Sequence, residues 1–113
     1  MRAILCKALT GIDGLVLEDV ESPSPGKGEI KLTTHACGVN FMDTLIVAGQ
    51  YQEKPPLPFT PGAEVSGEVI EVGDGVKNVK VGDRVVAIGS AGGYAEETIV
   101  NAVTAIPIPP QMD

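Results

Sequence analysis

Apolar and polar residues alternate with a period of two along much of this chain, and the interruptions are rich in Gly and Pro. Glu29–Ala36 is the clearest case. Ile30, Leu32, Thr34 and Ala36 fall on one side and Glu29, Lys31, Thr33 and His35 on the other, the pattern of a half-buried strand. Arg2–Leu9 and Leu15–Val20 are apolar-rich runs separated by T-G-I-D-G, whose two glycines suit a reversing turn, so a β-hairpin is predicted there. Glu64–Val72, Arg84–Ile88, Tyr94–Val100 and Val103–Ile106 read as further strands, with G-D-G, V-G-D-R and S-A-G-G between them. Glu21–Gly28 and Tyr51–Pro61, the latter with four prolines, read as loops.

One segment departs from this period. Asn40 is suited to cap a helix, Asp43 falls in its first turn where a negative charge favours the dipole, and Gly49 is suited to stop it. Phe41, Leu45 and Ala48 share a face, with Met42 and Ile46 beside them. The helix would have roughly two to three turns. Several short strands and one short helix predict a mainly β domain, a barrel or a sandwich.

Composition narrows this further. With 113 residues the chain is one domain, 1–113, with one ordinary core. Trp is absent and there are only two Phe and two Tyr, so branched aliphatic side chains must fill that core, and these favour strands. A net charge of −7 with acids and bases interspersed disfavours nucleic-acid and anionic-membrane partners. No apolar run approaches the ~20 residues of a spanning helix, and M-R-A-I-L-C-K-A-L does not read as a signal peptide. Cys6 and Cys37 lie in strand-like runs and read as free core thiols of a reduced, cytoplasmic protein.

The usual catalytic constellations are missing. His35 and Cys37 would share one strand face at a spacing that can bind a metal, but there is no further His and the other Cys is remote, so no metal site is expected. Ser66 and Ser90 lie near glycines without forming G-x-S-x-G. Gly73–Gly75, G-D-G, lacks the rest of a dinucleotide fingerprint and reads as a hairpin turn. What remains is G-V-N-F-M-D at Gly38–Asp43 and P-G-A-E-V-S-G at Pro61–Gly67. Asn40, Asp43, Thr44, Tyr51 and Glu64 supply an amide, carboxylates and hydroxyls for a cleft. The same residues also read as helix caps, a loop filler and a partner for buried backbone, and spacing alone leaves both readings open.

Those two stretches are similar to the catalytic domain of the medium-chain dehydrogenases/reductases. Where the zinc alcohol dehydrogenases of that superfamily have a Cys and a His metal ligand, this chain has Asn40 and Ala63. H-A-C-G-V-N at His35–Asn40, G-Q-Y at Gly49–Tyr51, P-F-T-P-G-A-E-V-S-G at Pro58–Gly67, V-G-D-R-V at Val81–Val85 and G-G-Y-A-E at Gly92–Glu96 resemble the zinc-independent, zeta-crystallin-like quinone oxidoreductases. The resemblance spans essentially the whole chain.

That resemblance implies a GroES-like, partly open antiparallel β-barrel with one short helix after Asn40. It implies zinc-independent hydride transfer from NADPH to a small quinone or activated enone. Asn40, Phe41, Met42, Asp43 and Thr44 would line the cofactor, and Tyr51 would face the nicotinamide and substrate, with Tyr51 and Asn40 as the catalytic residues. Family members continue into a Rossmann-type domain that binds most of the NADPH and through which a homodimer would form. This chain ends at I-P-I-P-P-Q-M-D, where that linker would begin, so it reads as an excised or truncated catalytic domain, inactive alone. A different class is also open: V-K-V-G-D-R-V-V at Val79–Val86 resembles the GroES co-chaperonin, so a stand-alone GroES-like binding or co-chaperonin-type module is the alternative.

Overall fold

The period-two segments become strands, and the Gly- and Pro-rich interruptions become the connections between them. The computed structural model of the protein describes residues 1–89 and 91–112; Ser90, considered above as a nucleophile, and Asp113 lie outside the described residues. The elements are β1 (Arg2–Cys6), β2 (Leu15–Asp19), β3 (Glu29–Cys37), α1 (Phe41–Val47), β4 (Glu64–Val72), β5 (Arg84–Ile88), β6 (Glu97–Asn101) and β7 (Ile106–Pro107). They form a two-stranded sheet, β1-β2, and a five-stranded sheet in the order β6-β3-β4-β5-β7. Every pairing is antiparallel. The sheets do not close into a barrel, as expected of a partly open one. No helix among the described residues is long and apolar enough to cross a membrane.

The main core lies under the large sheet, where Ile30 and Leu32 of β3 meet Val65 and Val69 of β4, Val85 and Ala87 of β5 and Val100 of β6. Burying a Val, Leu or Ile side chain contributes about 1.5–3 kcal/mol. A second cluster joins the small sheet to α1 through Cys6, Ile46, Val47 and Phe59. Backbone bridges at Ala3–Ala95 and Cys6–Phe59 attach β1 to loops that precede β6 and β4.

The predicted hairpin is present, but β1 ends at Cys6 instead of Leu9 and the turn contains a 3-10 segment, Ile12–Gly14. The Gly11 N–H donates to the Val47 carbonyl, so this turn seals the end of α1. Val103–Ile106 is not a strand: Ala102–Thr104 forms a 3-10 turn held by the Asn101 side chain, and only Ile106–Pro107 pairs. The strand expected from Tyr94 starts at Glu97, because Tyr94 and Glu96 hydrogen-bond to β1 and Tyr94 also to the loop before β4.

Two further expectations fail for one geometric reason each. The alternation of β3 holds through Leu32, then changes phase. Thr34 pairs with Gly67 and Ala36 with Ser66, so His35 is an extra residue bulged out of the ladder. Ala36 is consequently exposed while Cys37 packs against the core, and His35 points away beside Arg84 and Ile108. His35 and Cys37 therefore do not share a face. On α1 the buried residues are Asp43, Ile46 and Val47, and Phe41 is 77% exposed. The Phe41–Leu45–Ala48 stripe is not the core side, because a carboxylate takes the inward position in the first turn.

Gly67 marks the tightest crossing of β3 and β4: a Cβ there would lie 2.0 Å from the Thr33 carbonyl oxygen. Backbone on both sides leaves nothing flexible to yield. Gly67→Ala is expected to lower unfolding free energy by about 2–3 kcal/mol, read as a reduced urea midpoint at unchanged slope.

Candidate active site

Beta-strand ends and the start of α1 surround a cleft of about 590 Å³. Asn40 and Met42 form one wall, Ala63 and Glu64 the facing wall, Tyr51 and Glu53 the loop side, and Ile88 and Gly89 the end of β5. A shallower groove of about 310 Å³ continues past Glu64 and Ile88 over Ala36, Gly38, Ser66 and Val86.

Local sequence explains how each wall is held. Asn40 has extended backbone (φ −123°, ψ 156°) and caps α1. The Asp43 carboxylate reaches back to the Asn40 N–H at 3.0 Å, half of a capping box. At the other end Gly49 adopts φ +72°, and its N–H and that of Gln50 donate to the carbonyls of Ile46 and Leu45, a Schellman stop. Tyr51 follows directly, its ring packed against the cluster of Ile46 and Phe59. The facing wall is fixed by Gly62, at φ +105°, whose absent side chain admits the Tyr94 ring and the Cys37 thiol. Glu64 lies over Gly38, whose N–H donates to the Glu64 carbonyl at 3.0 Å.

Of the residues expected at the site, Asn40, Met42 and Tyr51 line the cleft. Phe41 points to solvent, and Thr44 turns its hydroxyl to the Phe41 carbonyl on the far side of the helix. Asp43 is 4% exposed, behind the wall instead of on it. Its Oδ2 accepts a second hydrogen bond, 2.8 Å from the Tyr94 hydroxyl, while its Oδ1 has no partner. Tyr94 was visible in G-G-Y-A-E only as part of a motif, since nothing local announces a bond spanning 51 positions. Glu53, Ile88 and Gly89 carried no signal beyond their loop and strand patterns.

The chemistry available is limited. Among the described residues no group of three or more His, Cys, Asp or Glu side chains could hold a metal ion. Burial raises the Cys6 thiol pKa, and burial with the Asp43 and Glu64 carboxylates nearby raises that of Cys37. Since the thiolate is the nucleophile, neither thiol is activated. What the cleft offers is an amide, a phenol and two carboxylates on a lining that also includes Met42, Ala63 and Ile88.

Tyr94 yields a test. Burial first, and then its hydrogen bond to the Asp43 carboxylate, pushes its phenol well above the usual value of 10.0. A raised folded-state value means that this contribution to stability is complete below pH about 10 and is lost as pH rises past it. A 295 nm titration is expected to show one tyrosine resisting ionisation until the fold opens. Tyr94→Phe should remove that resistant signal and flatten the alkaline loss of stability.

Residues 26–110 match the family model of the alcohol dehydrogenase GroES-like domain. The chain is 47% identical over 108 residues to a mouse protein named quinone oxidoreductase-like protein 2, covering 96% of this chain and 30% of the relative. It is 43% identical over 115 residues to rat quinone oxidoreductase, covering 100% and 35%. Among solved structures, Escherichia coli quinone oxidoreductase complexed with NADPH superposes with a TM-score of 0.93 at 33% identity, covering 100% of this chain and 35% of that one. A probable oxidoreductase from Mycobacterium abscessus gives 0.90 at 42% identity, covering 100% and 36%. This chain thus spans about a third of the length of the relatives it matches. With the strand order, the helix after Asn40 and the cleft it borders, these matches show that the chain belongs to the alcohol dehydrogenase GroES-like domain family, beside the quinone oxidoreductases of the medium-chain dehydrogenase/reductase superfamily.

Proposed function

We propose that this chain is the catalytic domain of an NADPH-dependent quinone oxidoreductase that reduces a quinone or an activated enone without zinc. The observation that carries the reading is the composition of one cleft. Asn40 and Ala63, at the two positions where zinc alcohol dehydrogenases hold metal ligands, both line it, as does Tyr51. A methyl group cannot ligate a metal and a neutral amide is a weak ligand, so the donor set does not fit zinc. It does fit a nicotinamide: an amide that can both donate and accept, beside apolar Met42, Ala63 and Ile88.

The cofactor would supply the hydride, as two electrons and a proton equivalent from its reduced ring. The chain's residues orient and shelter. Asn40 would offer its amide to a carboxamide, and Met42 and Ile88 would thin the water around a bound ring. The Tyr51 hydroxyl, the one neutral O–H among the described lining residues, can donate to the acceptor oxygen as negative charge grows there. The Glu53 and Glu64 carboxylates would favour a cationic ring over a neutral one at the cleft, and no Lys or Arg among the described lining residues would hold phosphates. A Rossmann-type domain of the longer protein would bind those phosphates and form the homodimer, in the cytoplasm.

Three measurements check this. In the full-length protein Tyr51→Phe is expected to slow quinone reduction several-fold to about tenfold, since a neutral hydrogen bond is worth ~0.5–1.5 kcal/mol. If kcat and KM with NADPH and a simple quinone match wild type, the hydroxyl has no role. Purified protein is expected to contain no stoichiometric zinc and to keep its fold in chelator; zinc whose removal unfolds it would overturn the metal-free reading. The 113-residue chain alone is expected to be inactive with NADPH and quinones, and turnover by it would show the cleft complete without another domain.

A further inference from the structure

Tyr94 lies outside the cleft, yet it is attached to both of its walls from behind. Its hydroxyl donates to Asp43 Oδ2 at 2.8 Å, and that same oxygen accepts the Asn40 N–H at 3.0 Å. Its ring packs over Gly62, where a Cβ would lie 2.7 Å from the ring's Cδ1, and Gly62 immediately precedes Ala63 on the facing wall. The backbone of Tyr94 is itself fixed. Its N–H donates to the Pro61 carbonyl at 2.9 Å, and its carbonyl accepts from the Ile4 N–H of β1 at 2.9 Å.

We infer that Tyr94 and Asp43 are a positioning pair: through one shared carboxylate oxygen and one ring-on-glycine contact they set the orientation of Asn40 and its distance from Ala63. A helix cap needs only the Asp43–Asn40 half of this arrangement. The Tyr94 half adds a donor from a distant loop on Oδ2, while Asp43 Oδ1 is buried without a partner. Burying an acceptor in that way is costly. The carboxylate is therefore anchored by one oxygen that faces both Asn40 and Tyr94, so movement of Tyr94 is passed to Asn40. The inference rests on the proposed reading of the cleft, in which Asn40 orients the reacting ring.

Two readouts test it, the first separately from that reading. In the 113-residue chain, Tyr94→Phe should shift the backbone amide resonance of Asn40 and raise its hydrogen-exchange rate about tenfold, because the carboxylate that accepts from it is no longer anchored. An Asn40 amide that does not move, while signals next to residue 94 do, would overturn the inference without reference to activity. In the full-length enzyme, Tyr94→Phe should lower kcat about three- to tenfold with little change in KM, and Asn40→Ala should absorb that effect in a double-mutant cycle. Asp43→Asn, the same shape with a neutral and weaker acceptor in place of the shared carboxylate oxygen, gives a second variant with the same expected loss, again absent beside Asn40→Ala. Multiplicative losses would mean that Tyr94 and Asp43 only stabilise the fold. If Asn40→Ala alone leaves kcat unchanged, the cleft reading fails and the kinetic part of the inference with it, whereas the amide result still decides whether the pair controls Asn40.

Discussion

Backbone packs around the Cys37 thiol so closely that no side chain fits between. A Cβ on Gly93 would lie 2.5 Å from Sγ and one on Gly62 2.9 Å from it, and the Gly93 N–H donates to the Gly62 carbonyl at 3.0 Å. This contact brings the loop before β4 and the loop before β6 together over the end of β3. It holds Pro61–Ala63 as one wall of the cleft and delivers Tyr94 to the helix. If the two loops separated, the Ala63 wall, the Asp43 bond and the attachment of β1 would be lost together. Large core residues fix the sheet, but two absent side chains fix the site.

The bulge at His35 belongs to the same arrangement. Without the extra residue the alternation of β3 would carry Ala36 inward and Cys37 out to solvent, and the glycines would have nothing to close upon. A period-two reading reveals strands well and phase poorly, because a bulge has no strong composition signal when its extra residue is polar. That is why most of the strands, the hairpin, the helix with both of its stops and the Pro-rich loop were legible in the sequence, while the Val103–Ile106 turn and the faces of His35 and Cys37 were not. Phe41 fails for a related reason. An apolar stripe predicts burial only when no buried hydrogen bond competes, and here Asp43, bonded to Tyr94 and Asn40, takes the inward position.

The cleft residues divide the same way. Asn40, Met42 and Tyr51 flank features that sequence shows, a cap and a stop, so they could be located from motifs. Ile88 and Gly89 enter because antiparallel pairing sets Ile88 opposite Glu64, a register that no local pattern specifies. A domain with a net charge of −7 and carboxylates at its cleft is poorly suited to hold phosphates.

The edge of the large sheet has a consequence for solubility. Its last strand, β7, is two residues long and contains Pro107, with Pro109 and Pro110 following. Proline offers no N–H to a neighbouring strand, so this edge cannot template another chain across β5. Ile88 and Ile106, 63% and 61% exposed, lie beside that edge. An open sheet with apolar residues at its margin invites strand addition and fibrillar association. Three prolines within four positions make the margin self-limiting, and the domain can present apolar surface beside its cleft without the risk of growing by its own edge.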